Sequence, residues 1–347
     1  METEFRATTP ADHPRVADLL ARVFHLAPDH PMRNESLQHW KYWQPHPWWD
    51  GSRSYVLERD GVLAAHGSIW PMRLRAGDRD WRGIFLTDWA AAPAEPAGVG
   101  IALLRRIAAL TEVVCAIGGT EMTQAIMPKI GFRPFNEMWF GVRPLRPFLQ
   151  ARTHPFRNWK LPARWLRNTA WSLWPPAPVP PGWSTVACAP RDIPDSLWPG
   201  PGPDLTVGGR DARLLEYYQE SPWAASVFRG AVRNGELAGY FCLTFPAGQA
   251  RVADLWTPSR SPEDWRALYA LALAEARRNP EAVEITAVHS TPWGQQALLG
   301  AGFRIPEKHP ILFCGANDFL AGRNSIHMQM IDADFGFVRG SRPEYWL

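Results

Sequence analysis

Apolar positions along the chain set out a series of elements, and then set it out a second time. Phe5-Arg6-Ala7-Thr8 reads as a short strand, a proline-bracketed turn follows at residues 10–14, and Val16, Leu19, Leu20, Val23 and Phe24 recur at helical spacing. Residues 184–187 read as a strand again. Pro190-Arg191-Asp192-Ile193-Pro194 repeats the turn, and Leu197 and Trp198 open the next helical pattern. In both turns an Asp is placed to cap the helix start. Residues 37–47 and 212–222 each predict a helix with an aromatic end. Each stops before a proline, which disfavours helical backbone in the residue preceding it. Two hairpins come next. Residues 55–58 and 63–70 flank Asp60-Gly61, and residues 227–232 and 237–244 flank Asn234-Gly235. These dipeptides supply the left-handed backbone of a tight hairpin turn.

Each half continues with a strand (85–89 and 251–256), a long helix (99–110 and 263–277) and another apolar strand (113–117 and 283–288). Each then reaches a short helix ending in Gly-Phe-Arg, at 131–133 and at 302–304. Pro10 with Pro190, Asp88 with Asp254, and Gly131 with Gly302 keep their order while their offset drifts, as loop insertions and deletions require. The chain therefore reads as a tandem repeat, residues 1–147 and 183–347, joined by residues 148–182. The joining segment is rich in Arg, Trp and Pro, and its run Trp174-Pro175-Pro176-Ala177-Pro178-Val179-Pro180-Pro181 favours an extended, semi-rigid connector. Its basic aromatic part, residues 157–174, is alternatively a helix lying on the surface, a membrane surface included. A membrane partner is not expected.

Composition changes the picture little. The 347 residues allow two cores, and 46% hydrophobic with 20% charged residues is the balance of a folded chain. A formal charge of +3 does not point to nucleic acid, which calls for a clustered basic face. Cys115, Cys188, Cys242 and Cys314 are far apart and form no CxxC pair, so reduced thiols are expected and a zinc or redox motif is not. The charged start, Met-Glu-Thr-Glu-Phe-Arg, predicts no signal peptide. No stretch reaches the roughly 20 apolar residues that span a bilayer. A cytoplasmic protein is expected. The nineteen tryptophans read chiefly as core and interface packing. The other reading is an aromatic groove for a sugar or an acyl chain, walled by Trp40 with Trp43 and Trp48 with Trp49.

One loop separates the halves. Glu95-Pro96-Ala97-Gly98-Val99-Gly100 follows a strand and opens a helix in the first copy. Small residues there let backbone approach a ligand. The unpaired first-turn N–H groups and the helix dipole suit a pyrophosphate. The second copy has Thr257-Pro258-Ser259-Arg260-Ser261-Pro262 instead, with no glycine and with two prolines that remove amide donors.

A strand, a loop of the form (Gln/Arg)-x-x-Gly-x-(Gly/Ala), a helix, a strand and a short helix ending in Gly-Phe resemble the GCN5-related N-acetyltransferases (GNAT). The resemblance implies an α/β fold of two tandem GNAT-like units, each a mixed central sheet flanked by helices. It implies acyl-CoA, most simply acetyl-CoA, as co-substrate, and no metal. Ala97, Gly98, Val99 and Gly100 would hold the pyrophosphate. Residues 85–91 would line the pantetheine, with an amide among Trp89, Ala90 and Ala91 as oxyanion donor, and residues 113–119 would be the splayed neighbour strand. Thr120 falls near the cofactor, where the family often has Asn, and residues 129–132 match the closing helix and strand. Two positions depart from the pattern. Glu95 stands where Gln or Arg is usual and would repel a pyrophosphate, and Met127 stands where a catalytic Tyr is common. The second unit reads as a copy that has lost cofactor binding and builds the acceptor pocket or stabilises the first.

Acyl transfer from a thioester needs a base for the acceptor and donors for the developing oxyanion. Asp88, on the cofactor strand, His66, on the preceding hairpin strand, and Glu121, after the splayed strand, are the candidate bases. Each has a structural alternative. Asp88 can be a strand-end carboxylate paired with Arg, as the matching Asp254 suggests, and a lone His is more often structural. Asp332, Asp334 and the Leu347 carboxylate reach the site only if the tail folds back. The expected function is transfer of an acyl group to an amine or hydroxyl of a small molecule or sugar. The alternatives are a non-catalytic CoA-binding or scaffold protein on a decayed GNAT fold, and a Fem-like aminoacyl transferase. Near-neutral charge and the surviving glycine loop disfavour the last. Acceptor and oligomeric state are not specified.

Overall fold

The computed structural model describes residues 3–96, 98–154, 159, 161–173, 177–316, 319–337 and 345. The first unit runs β1 (Thr3–Ala7), α1 (His13–Phe24), α2 (Glu35–Gln38) continuing into a π-helical turn (His39–Trp43), β2 (Ser54–Arg59), β3 (Val62–Ala76) and β4 (Arg79–Ala91). It goes on with α3 (Val99–Ala108), β5 (Val113–Ile117), α4 (Glu121–Ile126) and β6 (Arg133–Pro144). Helices α5 (Pro147–Thr153) and α6 (Leu161–Leu173) come from the joining segment. The second unit runs β7 (Trp183–Ala187), β8 (Leu205–Gly208), α7 (Ala212–Gln219), β9 (Ala225–Arg233), β10 (Glu236–Phe245) and β11 (Gln249–Trp256). It ends with α8 (Pro262–Ala276), β12 (Glu284–His289), α9 (Pro292–Gly300), β13 (Arg304–Gly315) and β14 (Ser325–His327).

Local chemistry explains the hairpins. Asp60 and Gly61 both have positive φ (49° and 81°), as do Asn234 and Gly235 (53° and 92°), so both turns have the twist that matches their strands. The sheet they build is continuous, in the order β1-β2-β3-β4-β5-β13-β6-β12-β11-β10-β9-β7. Each unit contributes antiparallel neighbours and then one parallel step, β4 with β5 and β11 with β12. The last strands are exchanged. β13 pairs with β5, from Ile311 opposite Ile117 to Gly315 opposite Val113. β6 pairs with β12, from Glu284 opposite Pro144 to His289 opposite Trp139. β6 and β13 also pair with each other. β6 of the first unit thus extends the second unit's strands, and β13 of the second extends the first's, while β14 pairs with β8 of its own unit.

Aromatic packing joins the units. Trp40 stacks on Tyr217 at 5.5 Å between ring centroids, and Trp70 stacks on Tyr218 at 5.1 Å. Phe337, near the end of the chain, covers Tyr218 and Trp70. Buried Arg53 donates to the Tyr217 hydroxyl and to the carbonyls of Trp40, Lys41 and Gln44. The candidate groove tryptophans are spent here. Trp40 and Trp49 are buried, the Trp43 indole donates to the Thr8 hydroxyl, and the Trp48 indole donates to Asp211.

Candidate active site

β4 and β5 pair from Gly83 opposite Val113 to Phe85 opposite Cys115, and then part. Beyond Phe85, β4 runs on along β3 alone. There it bulges: Thr87 faces Ser68 and Ala90 faces His66, so Asp88 and Trp89 share one position opposite Gly67. Asp88 adopts left-handed backbone (φ 48°), uncommon for a residue with a side chain.

Buried side chains hold that bulge. One Asp88 carboxylate oxygen accepts from Lys41 Nζ (2.6 Å), the Tyr42 hydroxyl (2.7 Å) and the Ser68 hydroxyl (2.8 Å). The Asp88 carbonyl accepts from His66 Nδ1 at 3.0 Å. A carbonyl only accepts, so Nδ1 carries the proton and the Ser54 hydroxyl donates to Nε2 at 2.9 Å. Lys41 also reaches Asp334 at 2.7 Å, so the tail does fold back to this cluster. Burial lowers the pKa of His66, and Asp88 only partly opposes it, so the ring is neutral. Burial alone would raise the Asp88 carboxyl, but the Lys41 charge and the hydrogen bonds of Lys41 and Tyr42 hold it below the usual range. Lys41 is pushed up by Asp334 and Asp88 against its own burial.

The glycine loop lies beside the bulge. Gly98 is the N-cap of α3 in left-handed conformation (φ 100°), with no side-chain cap and no acidic residue in the first turn. The Trp89 indole donates to the Gly100 carbonyl at 2.9 Å. A Cβ on Gly100 would come within 3.3 Å of that indole and 3.4 Å of Ala91 Cβ, so strand and helix meet at van der Waals distance. Glu95 does not stand alone: its carboxylate pairs with Arg59 at 2.6 Å. Val99 and Ala90 are buried in the core, and Ala97 lies outside the described residues. Past β5, Gly118 and Gly119 turn the chain with positive φ into α4, which Thr120 caps by accepting from Thr123 N–H. Glu121 is exposed in that first turn, and Met127 is buried. The structure thus gathers Trp89, Ala90, Ala91, Gly98, Val99 and Gly100 around the parted strands, with Asp88 and His66 inside the bulge. Among the described residues no hydrogen bond or ion pair joins Thr120 or Glu121 to Asp88. The sequence reading missed Lys41, Tyr42 and Ser68; a lysine set in the run Trp40-Lys41-Tyr42 was the available signal for a buried cation.

No protein-family model and no curated protein matches this chain. Solved structures do. A GCN5-related N-acetyltransferase from Anabaena variabilis superposes with a TM-score of 0.57 at 11% identity, over 90% of this chain and 72% of that one. Another, from Sphaerobacter thermophilus, gives 0.51 at 16% identity, over 90% and 95%. The chain has the fold of the GCN5-related N-acetyltransferases.

In this GNAT fold the second opening is built alike but holds a side chain, and beside it Trp256, Pro258, Ser259, Arg260 and Trp265 line a cavity of about 290 Å³. β11 and β12 pair up to Val252 opposite Ala287, and β11 bulges at Ala253. Asp254 accepts from Arg210 and the Tyr240 hydroxyl, and Arg210 also pairs with Asp332 of the tail at 2.7 Å. Here burial outweighs Arg210, and the Asp254 carboxyl is raised. His327 of β14 sits 4.9 Å from Trp256, 5.4 Å from Trp265 and 5.3 Å from His289, ring to ring, between the ends of the two strands. Next to it the Ser290 hydroxyl donates to the Ile326 carbonyl and Gln329 bonds to His289. Helix α8 is capped by Ser261, begins with Pro262, and carries Glu263 and Asp264 in its first turn. Those charges oppose an anion. Leu347 lies outside the described residues.

Proposed function

We propose that this chain is an acyl-CoA-dependent acyltransferase, with acetyl-CoA as the simplest donor and an amine or hydroxyl of a small molecule or sugar as acceptor. The observation that carries the reading is the parting of β4 from β5 in the first unit. A bulged strand end parts from its neighbour directly beside a helix start that is uncapped, acid-free and reached through Gly98 and Gly100.

In this reading the amides of Gly98 and Gly100, with Ala97, bind the pyrophosphate through the helix start, and Val99 joins them by giving up its N–H bond to the Pro96 carbonyl. The free edge of Trp89, Ala90 and Ala91 bonds the pantetheine, and one of those amides donates to the thioester oxygen as negative charge develops there. Bound acyl-CoA would supply an activated carbonyl: its C–S bond breaks as the C–N or C–O bond to the acceptor forms, and CoA leaves as a thiolate that takes its proton from water, since Met127 supplies none. Asp88 is a positioning residue: its charge is matched by Lys41 and its low pKa makes it a weak base for an amine, while its side chain fixes the bulge. His66, neutral and fully engaged, pins the bulge carbonyl. Thr120 shapes the rim of the opening. Glu121, exposed on that rim, is the candidate that takes the acceptor's proton. The protein is read as cytoplasmic, and the second unit as support for the first.

Titration calorimetry with acetyl-CoA tests the reading. Saturable binding at a single site per chain, and CoA thiol release with an acceptor from a panel of amines and amino sugars, are expected. No binding at millimolar acetyl-CoA overturns it. Binding without thiol release from any acceptor leaves a non-catalytic CoA-binding protein.

A further inference from the structure

Helix α6 shows water the wrong face. Its exposed positions are Pro162, Ala163, Leu166, Arg167, Ala170 and Leu173, almost all apolar. Its inner face buries Trp171 against Val142, and Asn168, which donates to Gln150, which in turn donates to Glu284. The outer face of a surface helix in a globular protein is ordinarily polar. The neighbouring residues extend the apolar ridge. Leu166 is 65% exposed, Leu173 77%, Phe148 of α5 68% and Trp159 85%. The Phe148 ring packs edge-on against Trp165 of α6, which joins the two helices in one surface. Such a cluster is larger than the scattered apolar residues of an ordinary surface.

Charge says what covers it. From Met138 to Arg191 the sequence contains no Asp or Glu, while Arg143, Arg146, Arg152, Arg164 and Arg167 all lie there. Beside α6, Arg143, Arg167 and Arg304 line a cavity of about 470 Å³ with Trp171 and no carboxylate. Arg304 lies over the Trp171 ring at 4.1 Å. A second copy of the chain is a poor partner for this surface, since a twofold contact sets the same basic patch against itself. No described helix is long and apolar enough to cross a bilayer, so the surface can only lie on one.

We propose that α5 and α6 dock the protein on an anionic phospholipid bilayer. Phe148, Trp159, Leu166 and Leu173 enter the interface, Arg152 and Arg167 meet the headgroups, and the arginine-lined cavity takes a lipid phosphate. This revises the expectation of no membrane partner and is independent of acyl transfer.

Co-sedimentation of the full chain with vesicles tests it, using phosphatidylcholine alone and phosphatidylcholine with roughly one-third phosphatidylserine. The wild type is expected to pellet with the anionic vesicles and far less with the neutral ones, and to be released by salt. Phe148→Ser/Leu166→Ser/Leu173→Ser, all exposed positions, is expected to lose at least about tenfold in partitioning. Arg152→Glu/Arg167→Glu is expected to lose the phosphatidylserine preference. Wild-type protein that stays in the supernatant at millimolar lipid overturns the proposal. So does a serine variant, or a glutamate variant, that pellets like the wild type. A dimer that the serine variant breaks, with no lipid binding, assigns the face to a second copy instead.

Discussion

In the first unit β4 and β5 part after Phe85 and Cys115; in the second, β11 and β12 part after Val252 and Ala287. Both openings have a bulge at or next to an aspartate, a buried cation on that aspartate, and a tail carboxylate on the cation. Asp88, Lys41 and Asp334 form one set, and Asp254, Arg210 and Asp332 the other. They differ in what lies between the strands and at the following helix. The second holds His327 among aromatic rings and a capped, acidic helix start; the first has a glycine approach to an uncapped one. What the copies share is therefore the frame, and what they do not share is what the proposed cofactor site rests on.

The largest effect separates the two cations. Arg210→Met leaves Asp254 and Asp332, with side chains 0% and 2% exposed, as unmatched buried carboxylates. A loss of about 3–5 kcal/mol in urea unfolding is expected. Lys41→Met should cost less, about 2–3 kcal/mol, because Asp334 is 17% exposed and reaches water. Only the Lys41 variant should also weaken acetyl-CoA binding, by relaxing the Asp88 bulge. Equal losses, or an effect of Arg210→Met on binding, would break the comparison.

Acid separates the openings next. Burial lowers His289 to about 3 and His327 well below its usual value, the latter with help from His289 and Arg210. The unfolded chain protonates both near 6.5, so between that pH and the folded pKa it binds more protons than the native state. Stability is full above about pH 6.5 and falls as pH drops, by about 1.4 kcal/mol per pH unit for each ring. Both His327 ring nitrogens are buried without a hydrogen-bond partner among the described residues. His327→Phe should therefore change stability little at pH 7 and flatten the acid limb by one ring's share. Unfolding midpoints from pH 7 to pH 4.5 measure this, and an unchanged slope would mean that His327 is already charged in the fold.

How much of this was legible in the sequence follows from the range of the forces. The two hairpins are local, written in periodicity and in Asp60-Gly61 and Asn234-Gly235, whereas the helix expected from Leu197 and Trp198 is only a single turn over Asp195–Leu197, with Trp198 extended. The strand exchange was not legible. β6 and β13 begin with the same Gly-Phe-Arg pattern and pair through backbone, so neither carries a mark of which sheet edge it joins. The Asp88 cluster was half legible. The match with Asp254 pointed to a structural carboxylate, but Lys41 and Asp334 lie 293 residues apart, and no pattern in the chain joins them. The same limit hid the partner of Glu95, which reads as a repelling charge until Arg59 is placed beside it.

Gly100→Val tests the open side directly. The added Cβ would crowd the Trp89 indole and Ala91, and the indole would have to leave the Gly100 carbonyl. Overpacking of this kind costs about 1–3 kcal/mol. At least a tenfold loss of acetyl-CoA affinity is expected from calorimetry, since strand edge and helix start move apart together. The mirror-image change, Pro258→Gly in the second unit, should create no second site, because His327 still occupies the gap.

The smallest effect concerns Glu95. Its pair with Arg59 is partly exposed, with side chains 17% and 21% accessible, so Glu95→Gln should cost no more than about 1 kcal/mol of stability. The consequence for binding has the opposite sign. The pair holds Arg59 at the glycine loop with its charge cancelled; the amide releases that charge toward an incoming pyrophosphate. Acetyl-CoA affinity should rise by about two- to fivefold at low salt and return toward the wild-type value as salt screens the freed guanidinium. A fall in affinity instead would mean that the Glu95 carboxylate holds the loop in its binding shape. The first opening would then depend on an ion pair, as both bulges do, and not on glycine alone.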